Sequence, residues 1–475
     1  MKKLLVLILL IAFVSPLFAF DFFATLDDEE GQVGTEPAKP KELTSLFVEG
    51  FGTYYPLDED EPFDYGISLG VTFEENRDKI RTEVDFSFSP ILRDPLDVRT
   101  LAVTFFFGPT NLKVGMFTHP WGTSTTLHAV DILNSQNLTH GILDNPEAMK
   151  KSEFMIVYNA YFKRSSLDLI IKPFYRPIDM EASDRYAPMD TDNLMGTSFS
   201  YGGMEIPIDS DNIRVGIYEH PKFWKALGGG GRFRFGIGDL DLGFMYFSSF
   251  YPQMGFDIGA KLKMKPHPQD PNPQNPTQYI PDKVEVTSID FDFTRYHFAG
   301  TEGSLLVGPV TIAWEGGLFL SEDIKGEKPE KYNTKAMAVV ELSYTEPKTS
   351  FFASAAYQGQ YLFGDVTPTV NLTTFDVTIP VDYIASFLSD KPYSSSVAVA
   401  FEMPFMRERL KVRMAATYGI ENQGLVALGS LSYEINDSFS VYARGAYYNG
   451  FGDKKSLFKN WENNSSVTIG MNAWF

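Results

Sequence analysis

Apolar and polar residues alternate along most of the chain from Leu46 to its last residue, and a period of two is the signature of a sheet. Ile80, Thr82, Val84, Phe86 and Phe88 share one face, opposite Arg81, Glu83, Asp85 and Ser87. Leu410, Val412, Met414 and Ala416 oppose Lys411, Arg413 and Thr417, and Phe439, Val441 and Ala443 oppose Ser440, Tyr442 and Arg444. Ile213, Val215 and Ile217 oppose Arg214, and Phe233, Phe235 and Ile237 oppose Arg232 and Arg234. Each such strand has a greasy face and a face that tolerates charge. A soluble sandwich would give the same alternation with the apolar face inward. Three features favour a barrel in a membrane. The strands run to about 9–12 residues, the length a tilted strand needs to cross a bilayer. Short turns such as Gly108-Pro109, Gly238-Asp239 and Gly308-Pro309 alternate with long loops, as in outer-membrane barrels. Aromatics cluster at strand ends, as at Tyr54-Tyr55, Phe105 to Phe107 and Tyr447-Tyr448, like interfacial girdles.

The expectation is therefore an all-β chain forming a single large antiparallel transmembrane β-barrel over residues 44–475, with about 22 strands (range 18–24). Segments 197–206, 212–219, 254–264 and 284–296 are counted among those strands. That count puts both chain ends in the periplasm and leaves one anomaly. Residues 265–283, with prolines at 266, 268, 271, 273, 276 and 281, form a long connection on the side of the short turns. Residues 1–19 read as a secretory signal peptide: Lys2 and Lys3, an apolar run from Leu4 to Val14, Pro16, and a small residue at Ala19. Residues 20–43 are rich in Asp, Glu, Gly, Pro and Lys and read as a flexible periplasmic leader.

The final strand carries a resemblance. Val467, Ile469, Met471, Ala473 and Phe475 alternate with Thr468, Gly470, Asn472 and Trp474, and the chain stops on phenylalanine. This resembles the terminal strand of Gram-negative outer-membrane barrels, which implies that Val467, Ile469, Met471 and Phe475 are an assembly signal read by the barrel-assembly machinery. Independently, the last strand must pair with the first near Phe47 to Tyr54, because an open edge in lipid leaves backbone groups unsatisfied. The segment Gly115 to Gly122, followed by Asp131-Ile132-Leu133-Asn134, is similar to one in poorly characterised outer-membrane barrels of the porin class.

Segment 118–152 is the most distinctive loop, with His119, Trp121, His128, Asp131 and His140 and an apolar stretch from Leu127 to Leu133. Two readings stay open: a loop folded into the barrel that narrows a pore, or an external loop packed on its neighbours. Zinc bound by the three histidines is a weaker third, since spacings of 9 and 12 match no short ligand pair. The pore-lining set is Arg81, Glu83, Asp85, Arg214, Arg232, Arg234, Asp241, Asp290, Asp292, Glu341, Lys411, Arg413 and Arg444. Side-chain charges of this kind set the selectivity of polar pores. The glycine run Gly228 to Gly231 fits no phosphate-binding motif and reads as a loop leading into a strand. Asp290 and Asp292 share a face, as any polar wall would have them, and no nucleophile motif occurs, so neither enzyme activity nor a catalytic residue is expected.

Composition narrows the classes further. The chain has no cysteine, so disulfides, a lipidated cysteine and thiolate metal sites are excluded. A net charge of −20 argues against a nucleic-acid partner. No cofactor or metal is expected. The expected partners are outer-membrane lipid, small solutes and the barrel-assembly machinery. The leading function is a porin-like channel for passive diffusion of small polar or charged solutes in the outer membrane. The alternatives are a surface-exposed adhesin barrel using 363–393 or 450–464, and a transporter of hydrophobic compounds with Met155, Tyr161 and Phe174 lining an apolar patch.

Overall fold

The computed structural model describes residues 19–20, 42–89, 95–139, 141–142, 149–178, 185–186, 198–201, 204–209, 214–216, 223–270, 276–386, 389, 391–452 and 456–475. Eighteen strands among them close into one barrel. They are β1 Glu42–Tyr54, β2 Phe63–Arg77, β3 Ile80–Phe88, β4 Leu96–Phe106, β5 Thr110–Phe117 and β6 Glu153–Phe162. The ring continues with β7 Ser165–Lys172, β8 Gly228–Ile237, β9 Leu240–Phe250, β10 Arg295–Val307, β11 Val310–Ser321 and β12 Thr334–Thr345. It ends with β13 Phe352–Phe363, β14 Tyr393–Phe405, β15 Leu410–Gly419, β16 Gly424–Asn436, β17 Phe439–Gly450 and β18 Ser466–Trp474. Every strand pairs antiparallel with its chain neighbours, and β18 closes on β1 from Phe47↔Trp474 to Tyr54↔Val467. Beyond that ladder, Phe475 N–H donates to the Leu46 carbonyl at 2.8 Å and Leu46 N–H to the Phe475 carbonyl at 3.0 Å. Closure leaves no free edge, the condition for a sheet in hydrocarbon.

The two faces separate as the alternation requires. Tyr65, Leu69, Val399, Met414, Ile469 and Met471 stand exposed on the outside, Ile469 to 67% of its surface. An apolar belt of that extent around a closed barrel is a lipid-facing wall. The inward positions are buried or half-buried and carry the charges. Most short turns, among them Asp78-Lys79, Gly108-Pro109, Gly238-Asp239 and Gly308-Pro309, gather at one end, while the four-residue turn 420–423 lies at the opposite one. The long connections gather at the other, the loop end.

The strand count corrects the expectation. Segments 197–206, 212–219, 254–264 and 284–296 do not enter the wall as four strands; only the tail of the last belongs to β10. They supply a second sheet. A hairpin of strands Gly255–Pro266 and Tyr279–Asp292 pairs in parallel with Met204–Asp209 and Arg214–Val215, and on its other edge with Asp376–Thr378. The connection 265–283 is thus largely the tip of an excursion between β9 and β10, at the loop end. The topological anomaly disappears with it. Ile213 and Ile217 lie outside the described residues. Gly228 to Gly231 are the first residues of β8 itself and not a loop. A Cβ at Gly230 would stand 2.0 Å from the Tyr246 carbonyl oxygen, so glycine lets β8 approach β9 there. The proposed signal cleavage site touches one short described pair, Ala19–Phe20 against Leu127–His128, while residues 1–18 and 21–41 lie outside the described residues.

Candidate functional site

Segment 118–152 joins β5 to β6, and its described residues, 118–139, 141–142 and 149–152, reach across to side chains of the opposite wall. Trp121, Leu127, Val130 and Leu133 are almost wholly buried. A segment inside a lumen has no ladder for its backbone, so its N–H groups need other acceptors. Two glutamates of the opposite wall provide them. Glu315 of β11 accepts from the N–H groups of Thr123 and Ser124, each at 2.9 Å, Ala129 at 2.7 Å and Val130 at 3.3 Å. Its Oε1 also lies 2.9 Å from His128 Nδ1. Glu341 of β12 accepts from the N–H groups of Thr125 at 2.9 Å and Thr126 at 3.0 Å. The hydroxyls of Ser124, Thr125 and Thr126 donate to it at 2.6, 2.5 and 2.7 Å. Gln358 of β13 adds a bond from Nε2 to the His128 carbonyl at 2.8 Å. Carboxylates are strong acceptors, and a buried one is tolerable only when saturated this way. The run Thr123-Ser124-Thr125-Thr126 suits the role because short hydroxyl side chains bring extra donors without bulk. Gly122, at φ +123°, lets the backbone close on Glu315: a Cβ there would lie 2.5 Å from its Oε1.

The root of the segment is stapled to itself. Asn134 accepts from His119 N–H at 2.8 Å and donates to the carbonyls of Phe117 and Lys151 at 3.3 and 2.9 Å. Asp131 accepts from Trp121 N–H at 3.2 Å and pairs with Lys150 at 2.7 Å. Trp121 packs edge-on to Phe247, ring centroids 6.0 Å apart, with the Arg232 guanidinium 5.8 Å from its ring. Burial pushes the His119 imidazole down to about 4, against the attraction of Asp168, so it is neutral at neutral pH.

A row of charge faces this segment on the adjoining wall. Arg232 of β8 bonds Asp168 of β7 through Nε at 3.0 Å and a terminal nitrogen at 2.9 Å, and its other terminal nitrogen lies 3.5 Å from Glu302 of β10. Lys172 pairs with Glu153 at 2.6 Å and donates to the Leu133 carbonyl at 2.8 Å. Farther round, Arg81 pairs with Glu74 at 3.1 Å and Glu83 at 3.7 Å, and Glu83 also meets Lys113 at 3.0 Å. Asp85 shares their face. Arg234 and Asp241 take inward positions on β8 and β9. Lys411 and Arg413 share the inner face of β15, where Arg413 bonds Glu402, and Arg444 stacks 4.1 Å from the Tyr442 ring.

Three of the sequence-derived positions lie elsewhere. Arg214, Asp290 and Asp292 belong to the second sheet, not to a wall strand: Arg214 pairs with Asp290 at 2.5 Å, and Asp292 with Lys331 at 2.9 Å. The apolar trio is not brought together either. Met155 is fully buried on the inner face, Phe174 stands exposed at the loop end, and Tyr161 is exposed next to the turn at Lys163-Arg164. His140 lies outside the described residues. Sequence reasoning missed Glu315, Glu302, Asp168 and Lys172. The signal was present, since Glu315 sits in register with Ala313, Gly317 and Phe319 and opposite Ile312, Trp314 and Leu318.

No family model matches this chain, and no curated protein is similar to it in sequence. Solved structures do resemble it in fold. Pseudomonas aeruginosa OccK11 (OpdR) is 11% identical over 91% of this chain and 95% of its own, with a TM-score of 0.46. Acinetobacter baumannii OccAB1 is 8% identical over 94% and 99%, TM-score 0.47. A BenF-like porin from Pseudomonas fluorescens Pf-5 is 8% identical over 92% and 98%, TM-score 0.45. Likeness at that level adds no argument to what the barrel's closure and faces already establish. The fold is a closed antiparallel β-barrel of eighteen strands with an apolar outer belt.

Proposed function

We propose that this protein is an outer-membrane channel for passive diffusion of small polar or charged solutes, narrowed by segment 118–152. One observation carries the reading: described residues of the segment are pinned to Glu315 and Glu341, while Arg81, Glu83 and Lys113 stay partly exposed on the wall farther round. A closed ring of eighteen strands is too wide for wall side chains alone to fill. Arg81, Glu83, Arg234, Lys411, Arg413 and Arg444 would meet solute in transit, Arg232 would support them from its buried place beside Trp121, and His119, Trp121, His128 and Asp131 would form the constriction. The short turns then face the periplasm and the long loops the exterior. Residues 1–19 direct export and are removed, and Val467, Ile469, Met471 and Phe475 present the outward stripe that the assembly machinery reads.

Reconstitution into a planar bilayer is the test. Folded protein should give stepwise current, and folded protein that gives no steps would remove the proposal. A second reading, a surface-binding barrel, is favoured by the inter-loop sheet at the loop end. It predicts that trimming 363–393 abolishes binding to a surface partner and leaves any current unchanged.

A further inference from the structure

The inter-loop sheet is built from connections rooted far apart on the ring. The hairpin 255–292 springs from β9 and β10, Met204–Asp209 and Arg214–Val215 from the connection between β7 and β8, and Asp376–Thr378 from that between β13 and β14. These roots span the wall from β7 to β14, and the sheet joins their connections at the loop end. One side of it is dry: Phe256, Leu262, Val284 and Ile289 are buried, packed in one core with Val377 and Val381. Val381 N–H in turn donates to the Pro329 carbonyl at 2.7 Å, tying this layer to the connection between β11 and β12.

The joints of this sheet are unequal. The hairpin's root is dry and packed with aromatic rings. Tyr251, Tyr296, Phe319 and Tyr332 stack with centroids 4.6 to 6.1 Å apart. The Tyr332 hydroxyl donates to the Met254 carbonyl at 3.1 Å, and Tyr332 N–H to Thr294 Oγ1 at 3.0 Å. The seams to neighbouring loops are short, dry on the side of Leu262, Val284 and Val377 and wet on the other. Each pairs only two residues at a time, at 208–209, at 214–215 and at 376–377. They are sewn by exposed ion pairs: Lys283 with Asp209, Arg214 with Asp290 at 2.5 Å, and Lys261 with Asp376 at 4.0 Å. Such pairs contribute little and are screened by salt.

We propose that the hairpin formed by Gly255–Pro266 and Tyr279–Asp292 is a lid over the loop-end mouth, hinged at its aromatic root and opening along its two ion-paired seams. The inference rests on the channel reading. The absence of cysteine makes it directly testable, because any engineered disulfide is the only one in the chain. Asp209 and Glu285 are Cα partners across one seam, and Lys261 and Asp376 across the other. Partners at strand spacing lie within the Cα range a disulfide bridges.

The experiment compares Asp209→Cys/Glu285→Cys and Lys261→Cys/Asp376→Cys with a control, Lys265→Cys/Ile280→Cys, which joins the hairpin only to itself. In bilayers, each seam lock should lower conductance at least fivefold when oxidised and recover it in dithiothreitol. The control should stay at the wild-type level throughout. Wild-type conductance in both oxidised seam variants would overturn the lid and leave the channel intact. A wild type with no current would sink the channel reading, and amide exchange then decides the lid on its own. Raising salt to 1 M should speed exchange at 208–209 and 284–285 while 295–298 stay protected. Uniform exchange across seam and root would overturn it.

Discussion

Two long connections of this barrel are both held by carboxylates, and they are held in opposite ways. Residues 123–130 of segment 118–152 rest on Glu315 and Glu341, which are buried and take six backbone N–H groups between them. The hairpin 255–292 lies at the loop end, and its seams use Asp209, Asp290 and Asp376 against exposed lysine and arginine. The chemistry is similar and the surroundings differ. A buried acceptor cannot be replaced by water, so losing it leaves the donors orphaned. An exposed pair exchanges its partner for water at almost no cost. The first arrangement fixes the segment to the wall, and the second would give way more readily.

The contrast can be broken most forcefully at the buried glutamates. Glu315→Ala combined with Glu341→Ala should cost on the order of 3–5 kcal/mol and free the segment from the wall. Single-channel conductance should rise several-fold, and the thermal unfolding midpoint should fall. An unchanged conductance in folded double variant would mean that the segment does not limit the pore. Arg232→Ala comes next. It leaves Asp168 and Glu302 buried without their shared cation, and both are close to zero exposure. A loss of about 3 kcal/mol is expected, read as a lower unfolding midpoint in detergent, with a shift of ion selectivity toward cations in reversal-potential measurements. The smallest effect should come from Lys283→Ala at the seam. Stability should change by less than about 1 kcal/mol, and the change should vanish in high salt. A large, salt-independent loss there would erase the distinction between the two regions.

Much of the wall was legible in the sequence. The alternation in β3, β8, β15 and β17 placed Arg81, Arg232, Lys411 and Arg444 opposite the greasy positions, and the structure puts these residues on one side of each strand. The need for closure located the pairing of β18 with β1 within the stretch Phe47 to Tyr54. The candidate site was legible only in halves. The apolar run Leu127 to Leu133 announced that segment 118–152 must be covered, yet nothing local said by what. Its covering residues, Glu315, Glu341 and Gln358, lie between 185 and 230 positions farther along the chain.

What the sequence determined by itself is the two-faced strand, because side chains alternate across any pleated sheet whatever its neighbours. It also determined that the ring must close. Only the tertiary structure decided which two-faced segments join the ring. The strands at 255–266 and 279–292 alternate as convincingly as those of the wall, and they pair with loops instead. Alternation is a property of one chain segment. Pairing is a property of two, and the partner that satisfies a strand's hydrogen bonds is set by where the fold brings distant segments together.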